Sequence, residues 1–258
     1  MSNLSLSLIL SVFLFIYYLF KNINFLNENT NYSTHKNFGK SNHSPLVIGG
    51  IFLSFVVLFF FSNDLVWLKI STLLIFILGL LSDKNILPNP KIRILFQILI
   101  LFMLVFFTNL SIINLENNVL NTMLENKIFN IFLTVFCLAI LVNGSNFLDG
   151  LNGLLSGYYL MIILSVFYLS FSYDNIDFIY KNEIKILFFS LLVFFIFNIF
   201  GKVYLGDGGS YLIATFIGFY LIKFNLSNPQ ISPYYVAALL WYPAFENLFS
   251  LVRRLFKK

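Results

Sequence analysis

Residues 92–110 read IRILFQILILFMLVFFTNL. Apolar side chains fill almost every position, and the one cation, Arg93, stands near the start. A half-exposed strand alternates apolar and polar residues, and a soluble surface helix keeps a polar face. A block with neither pattern fits a helix crossing a hydrocarbon layer, which takes about 20 residues. Similar runs stand near 4–20, 46–62, 65–81, 128–142, 154–171, 186–200, 210–224 and 233–252. The runs near 128 and 186 are short for a span and are expected to extend into their flanks.

Composition agrees. The 258 residues are 59% hydrophobic and only 10% charged, with a mean hydropathy of +0.86, where a soluble domain is about a quarter charged. That excludes a soluble globular protein. Aromatic residues make up 19%, 34 of them Phe, but their blocks do not alternate as the strands of a porin-like barrel do. The expected fold is all-α, a polytopic transmembrane helical bundle of about nine spans, forming a single integral membrane domain over 1–258. A single cysteine, Cys137, excludes an intrachain disulfide and a cysteine metal cluster, and it is expected to pack within its helix.

The net charge of +5 reads as topology and not as nucleic-acid binding. Alternate connections put Lys21, Lys36, Lys40, Lys84, Lys91, Arg93, Lys202, Arg253, Arg254, Lys257 and Lys258 on one face. Lys69, Lys127, Lys181, Lys185 and Lys223 fall on the other. The richer face is expected to be cytoplasmic, which places the N-terminus outside. The outer stretches 111–127 and 172–184 read as ordinary linkers without chemistry.

The same richer face collects the polar motifs: His35, Lys36, Lys40, His43 and Gly49-Gly50; Ser82-Asp83-Lys84; Asn143 to Gly153, NGSNFLDGLNG; and Gly201 to Ser210, GKVYLGDGGS. Singly, each has a plain reading. Gly206 to Ser210 can be a turn with a serine cap, Asn146 and Asp149 can cap a helix, and the lysines and arginines can anchor loops. His35 and His43 lack metal-ligand spacing. Together they suit phosphate: glycine turns expose backbone N–H groups to anions, Lys neutralises charge, and Asp holds a Mg2+ that keeps sites for water and phosphate oxygens.

NGSNFLDGLNG and GKVYLGDGGS resemble the two most specific signatures of the polyprenyl-phosphate N-acetylhexosamine-1-phosphate transferase family. HSPLVIGG, GLLSDKN and LVRR follow in the family's order, so the likeness covers essentially the whole chain. It looks closer to the branch that initiates surface glycans than to the phospho-N-acetylmuramoyl-pentapeptide transferases. The resemblance implies transfer of a sugar 1-phosphate from a UDP-linked N-acetylhexosamine to polyprenyl phosphate, usually undecaprenyl phosphate. UMP is released, Mg2+ is required with Mn2+ as a substitute, and the setting is a bacterial inner membrane. It implies Asp207 as Mg2+ ligand, with Asp83 binding metal or positioning and deprotonating the lipid phosphate. Asn146 and Asp149 would serve the uridine diphosphate end, with Asn152, Gly206 and Ser210 in the same two substrate-binding motifs. Lys36 or Lys40 would meet the nucleotide or the phosphates. Whether two copies form a homodimer stays open.

Three departures accompany the likeness. Ser82-Asp83 stands where two aspartates are common, so Asp83 would act alone; DGLNG stands for DGxDG. The chain also stops at Lys258, before an expected histidine-containing loop and a tenth helix, so the domain is expected to be C-terminally incomplete. An inactive homologue serving as an assembly partner is the alternative. A transporter expects mid-span charges beyond Glu246 or two related halves, and the sequence has neither. A kink is expected near Trp241 to Pro243, opening a groove for the lipid.

Overall fold

The computed structural model describes residues 3–22 and 46–256. Lys36, Lys40, His35, His43, Lys257 and Lys258 lie outside the described residues. The helices are α1 (Asn3–Asn22), α2 (Gly49–Phe60), α3 (Val66–Asp83), α4 (Pro90–Thr108), α5 (Asn118–Leu124), α6 (Lys127–Leu148), α7 (Leu154–Ser172), α8 (Lys181–Ile199), α9 (Gly206–Ser227), α10 (Pro233–Leu239) and α11 (Trp241–Phe256).

Every predicted apolar run falls on a helix, but they are not nine equal spans. Among the described residues six helices are long and apolar enough to cross a membrane, or seven if α10 and α11 count as one bent span. The apolar segments Leu6–Lys21 and Gly49–Phe60 are shorter. The run at 46–62 loses its start to β1 (Leu46–Val47), which pairs in parallel with β2 (Val203–Tyr204). The short runs near 128 and 186 do extend. α6 continues through Asn143 to Leu148, so half of the motif expected to be a connection is helical. The apolar helices make the chain an integral membrane protein.

Asparagines start several of these helices. Asn89 accepts from the Lys91 N–H ahead of α4, Asn117 from Leu120 ahead of α5, and Asn126 from Ile128 and Phe129 ahead of α6, each meeting an orphan donor of the first turn. α5 stands within the stretch expected to be a plain linker. The opposite end of the bundle from the polar motifs is also tied by amides, with Asn130 bonded to Ile112 and Asn228 to Asp177.

α9 is the central helix. It packs against α2, α3 and α6 and is buried along most of its length, as expected of a helix apolar on all sides. Its first turn comes very close to its neighbours: a Cβ on Gly79 would lie 2.3 Å from Gly208 N, and one on Gly50 would lie 2.6 Å from Gly209 N. Glycines there let α3 and α2 meet the start of α9 backbone to backbone. Cys137 is exposed on α6, contrary to the packing role expected of it. Its small apolar side chain faces where lipid would be.

The last span is broken. α10 and α11 meet at Leu240 with a bend of 60°, one residue before the Trp241 to Pro243 segment where the kink is expected. Pro243 has no N–H to give to Leu239, four residues earlier, so the helical ladder fails there.

Candidate functional site

The polar motifs converge on the start of α9. Gly206 enters the helix at φ +73°, and a Cβ there would sit 2.5 Å from Val47 Cγ1 and 2.7 Å from Asp83 Oδ2. Only glycine combines that backbone angle with so little room. Strand β1, pairing Leu46 with Val203 and Val47 with Tyr204, presses this turn into place, and the Gly50 N–H donates to Leu205 O at 3.1 Å.

The free N–H groups expected of a phosphate-binding helix terminus are taken. Gly206 N–H donates to Asp149 Oδ2 at 3.1 Å, Asp207 N–H to Asp83 Oδ1 at 3.0 Å, and Gly208 N–H to Asp83 Oδ2 at 3.4 Å. Two carboxylates from the ends of α3 and α6 thus cap α9, where the helix dipole and the orphan donors both favour negative charge. Asp149 is only 4% exposed and faces the protein interior. Asp83 also reaches Asp207 through the helix end, so the two aspartates adjoin.

The third carboxylate is held from α4. Asp207 Oδ2 accepts from Ser82 Oγ at 2.6 Å and from Arg93 Nη1 at 3.2 Å, and Arg93 Nη1 also donates to Ser82 Oγ. Ser82 is therefore more than a lost carboxylate: it bridges an arginine to Asp207. Ser210 Oγ donates to Asp207 O at 3.0 Å and to Asn146 Oδ1 at 3.2 Å, which ties α9 to α6 one turn below Asp149. Asn152 is exposed beside Gly201, where a Cβ would meet its Nδ2 at 3.0 Å. The structure thus gathers Asp83, Asn146, Asp149, Gly206, Asp207 and Ser210 at one helix end and leaves Asn152 on the adjoining loop.

Three residues outside the expected site belong to this assembly. Arg93 had been read only as a topology signal. Gln97, one turn along α4, is fully buried and accepts from Asn143 Nδ2 at 2.9 Å. Asn198, 3% exposed at the end of α8, accepts from Gly153 N–H at 2.9 Å and Ser156 Oγ at 3.0 Å, and donates to Val203 O at 2.8 Å. It fastens the DGLNG loop to the strand that precedes α9. A charge or amide inside an apolar run was the available signal for these three, because such groups are placed there only with a partner. Arg254 completes the face, its guanidinium 5.8 Å from the Phe147 ring in the α6 motif.

Metal fit follows from the donors. Mg2+ takes one or two carboxylates from a protein and the rest of its shell from water and phosphate. Asp83 and Asp207 side by side meet that requirement. Among the described residues no group of three or more His, Cys, Asp or Glu could hold a metal alone. The donor set suits a cation bound together with phosphate and not a protein-only cage.

A polytopic helical bundle with acidic and basic groups gathered at one end is the class defined so far. The model of glycosyl transferase family 4 matches residues 65–225, and the chain belongs to that family. The matched stretch contains Ser82, Asp83, Arg93, Asn146, Asp149, Asn152, Asn198, Gly206, Asp207 and Ser210. The chain is 27% identical over 191 residues to a phospho-N-acetylmuramoyl-pentapeptide-transferase of Dictyoglomus thermophilum, covering 69% of this chain and 60% of that protein. It is 28% identical over 211 residues to an undecaprenyl-phosphate alpha-N-acetylglucosaminyl 1-phosphate transferase of Thermotoga maritima, covering 82% of this chain and 62% of that protein. The chain therefore spans about three fifths of the length of the curated relatives it matches.

Proposed function

We propose that the protein transfers an N-acetylhexosamine 1-phosphate from a UDP-sugar to a polyprenyl phosphate, releasing UMP and initiating a cell-envelope glycan. The observation that carries this reading is the meeting of Asp83, Asp207 and Arg93 at the start of α9. It unites the Ser82-Asp83 and Gly201 to Ser210 motifs with a cation at one end of the bundle.

In the reaction an oxygen of the lipid phosphate attacks the sugar-bearing phosphorus, forming one P–O bond. The bond from that phosphorus to the bridging oxygen breaks, and UMP leaves with the electron pair. Both partners are anions, so the site must offset charge and align them. Arg93 supplies a planar cation suited to phosphate oxygens. Asp83 holds the α9 terminus and orients the lipid phosphate or accepts its proton; Asn146, Asn152 and the loop held by Asn198 meet the uridine end. Asp207 and Asp83 would hold a Mg2+, which when bound would offset the charge on the diphosphate.

The lipid route follows the broken span. α11 turns its polar side to α6, where Asn247 Nδ2 donates to Ile140 O at 3.3 Å, and exposes Trp241, Phe245, Leu248 and Phe249. A polyprenyl chain lying on those side chains would carry its phosphate toward Arg253 and Arg254 at the helix end. The positive charge of that face argues for a cytoplasmic site in a bacterial inner membrane, with the N-terminus outside.

The test is UMP release by membranes carrying the protein, with a panel of UDP-N-acetylhexosamines and undecaprenyl phosphate, in Mg2+ and in EDTA. Release that needs lipid and Mg2+ and is lost in Asp207→Asn is expected. No release across the panel by the folded protein would favour an inactive homologue.

A further inference from the structure

We propose that Arg93 is a built-in competitor for the divalent cation at Asp207, and that a nucleotide diphosphate relieves the competition by drawing the guanidinium to itself. Metal and diphosphate would then bind together, each weakly without the other. The inference rests on the transferase reading above.

Three observations carry it. Asp207 Oδ2 accepts from both Ser82 Oγ, at 2.6 Å, and Arg93 Nη1, at 3.2 Å, so that oxygen already has two donors on its lone pairs. A hard cation binds oxygen through those same lone pairs at about 2.0–2.1 Å and cannot share the position with an N–H. Second, the Arg93 and Asp207 side chains are 24% and 17% exposed. At that depth solvent screens poorly, and a guanidinium beside a divalent cation is strongly repelled.

Third, position 82 is a neutral serine. Its hydroxyl accepts from Arg93 and donates to Asp207. A carboxylate at the same place would draw Arg93 to itself, whereas the serine delivers it to Asp207. The arginine has a better partner once a diphosphate arrives, since its flat fork matches phosphate oxygens with two hydrogen bonds. Once Arg93 leaves Oδ2, Asp207 offers both carboxylate oxygens to the metal with no cation beside them. The diphosphate supplies further oxygens to the same ion, so the two ligands reinforce one another by linkage.

The experiment measures Mn2+ binding to the detergent-purified chain by electron paramagnetic resonance, with and without UDP, counting only binding that Asp207→Asn abolishes. Wild type is expected to bind Mn2+ weakly alone and at least about tenfold more tightly with saturating UDP. Arg93→Gln is expected to bind Mn2+ alone about tenfold or more tightly than wild type, and to gain little from UDP. Arg93→Lys, which keeps the charge, should restore weak binding of Mn2+ alone, a result that a merely structural role for Arg93 would not produce. Equal Mn2+ affinity for wild type and a folded Arg93→Gln without UDP would overturn the competition while leaving the transferase reading intact. No Asp207-dependent Mn2+ binding in any variant, with UDP present, would overturn both.

Discussion

The Tyr158 hydroxyl on α7 donates to the carbonyl oxygen of Leu239, the last residue of α10. In an unbroken helix that oxygen would accept from the N–H four residues on, and residue 243 is proline. A side chain from another helix thus satisfies the acceptor that the proline orphans. In a membrane no water replaces a missing donor, so the bend at Leu240 can persist only where protein meets the freed carbonyl. Tyr158→Phe removes the donor and changes little else. It should lower stability by about 1–3 kcal/mol, read as a lower Tm in detergent, and should loosen the α10–α11 junction, read as faster hydrogen exchange there. An unchanged Tm would show that the bond contributes nothing.

The same broken span leans on Gly144. A Cβ at that position would lie 1.9 Å from Pro243 O, a backbone atom that moves only if α11 moves. Gly144→Ala should therefore push α11 off α6 and destabilise the protein by about 1–3 kcal/mol. Because Arg254 lies against Phe147 on the next turns of α6, the displacement should also weaken UMP release more than binding of the UDP-sugar. Thermal unfolding and KM against kcat for the alanine variant check both halves, and full activity at unchanged Tm would contradict the contact.

How far the sequence revealed all this depends on which residue is asked about. Apolar blocks disclose helices because lipid demands them, and alternation put Asp83, Asp149 and Asp207 at one end, where they in fact meet. Pro243 announced the bend. The sequence could not disclose that Asp83 and Asp149 close the helix terminus expected to be open, since which carboxylate reaches which N–H depends on how α3 and α6 pack on α9. Arg93 and Asn198 were hidden inside apolar runs, where periodicity marks a helix but does not say what a lone polar side chain finds on its neighbour. The short α2 likewise follows from a tertiary event, the pairing of Leu46–Val47 with Val203–Tyr204.

Asp149 offers a way to separate holding the site from touching the substrate. Its Oδ2 accepts from Gly206 N–H inside the fold. Asp149→Asn keeps an oxygen acceptor and should retain a Tm near wild type, while Asp149→Ala strands the N–H and should lose about 1–2 kcal/mol. If the carboxylate serves only as a cap, UMP release should follow stability, surviving in the asparagine variant and falling in the alanine variant. Loss of activity in a fully stable Asp149→Asn would instead assign its charge a direct part in the uridine diphosphate site.

Asn198 makes the sharpest demand on chemistry, because it both accepts and donates. Its Oδ1 takes the Gly153 N–H and the Ser156 hydroxyl, and its Nδ2 gives to Val203 O; an amide does both and a carboxylate does not. Asn198→Asp keeps the two bonds to the DGLNG side but turns a buried acceptor toward the Val203 carbonyl, so it should cost about 2–4 kcal/mol. Asn198→Leu fills the same space and loses all three bonds. Both should free the loop at 149–153 from β2, and because Asn152 lies on that loop the UDP-sugar KM should rise more than kcat falls. Hydrogen exchange at Gly153 and Leu154 reports the loosening directly. Faster exchange with an unchanged KM would separate the loop from nucleotide binding, and slow exchange in both variants would mean that the loop is held by other contacts.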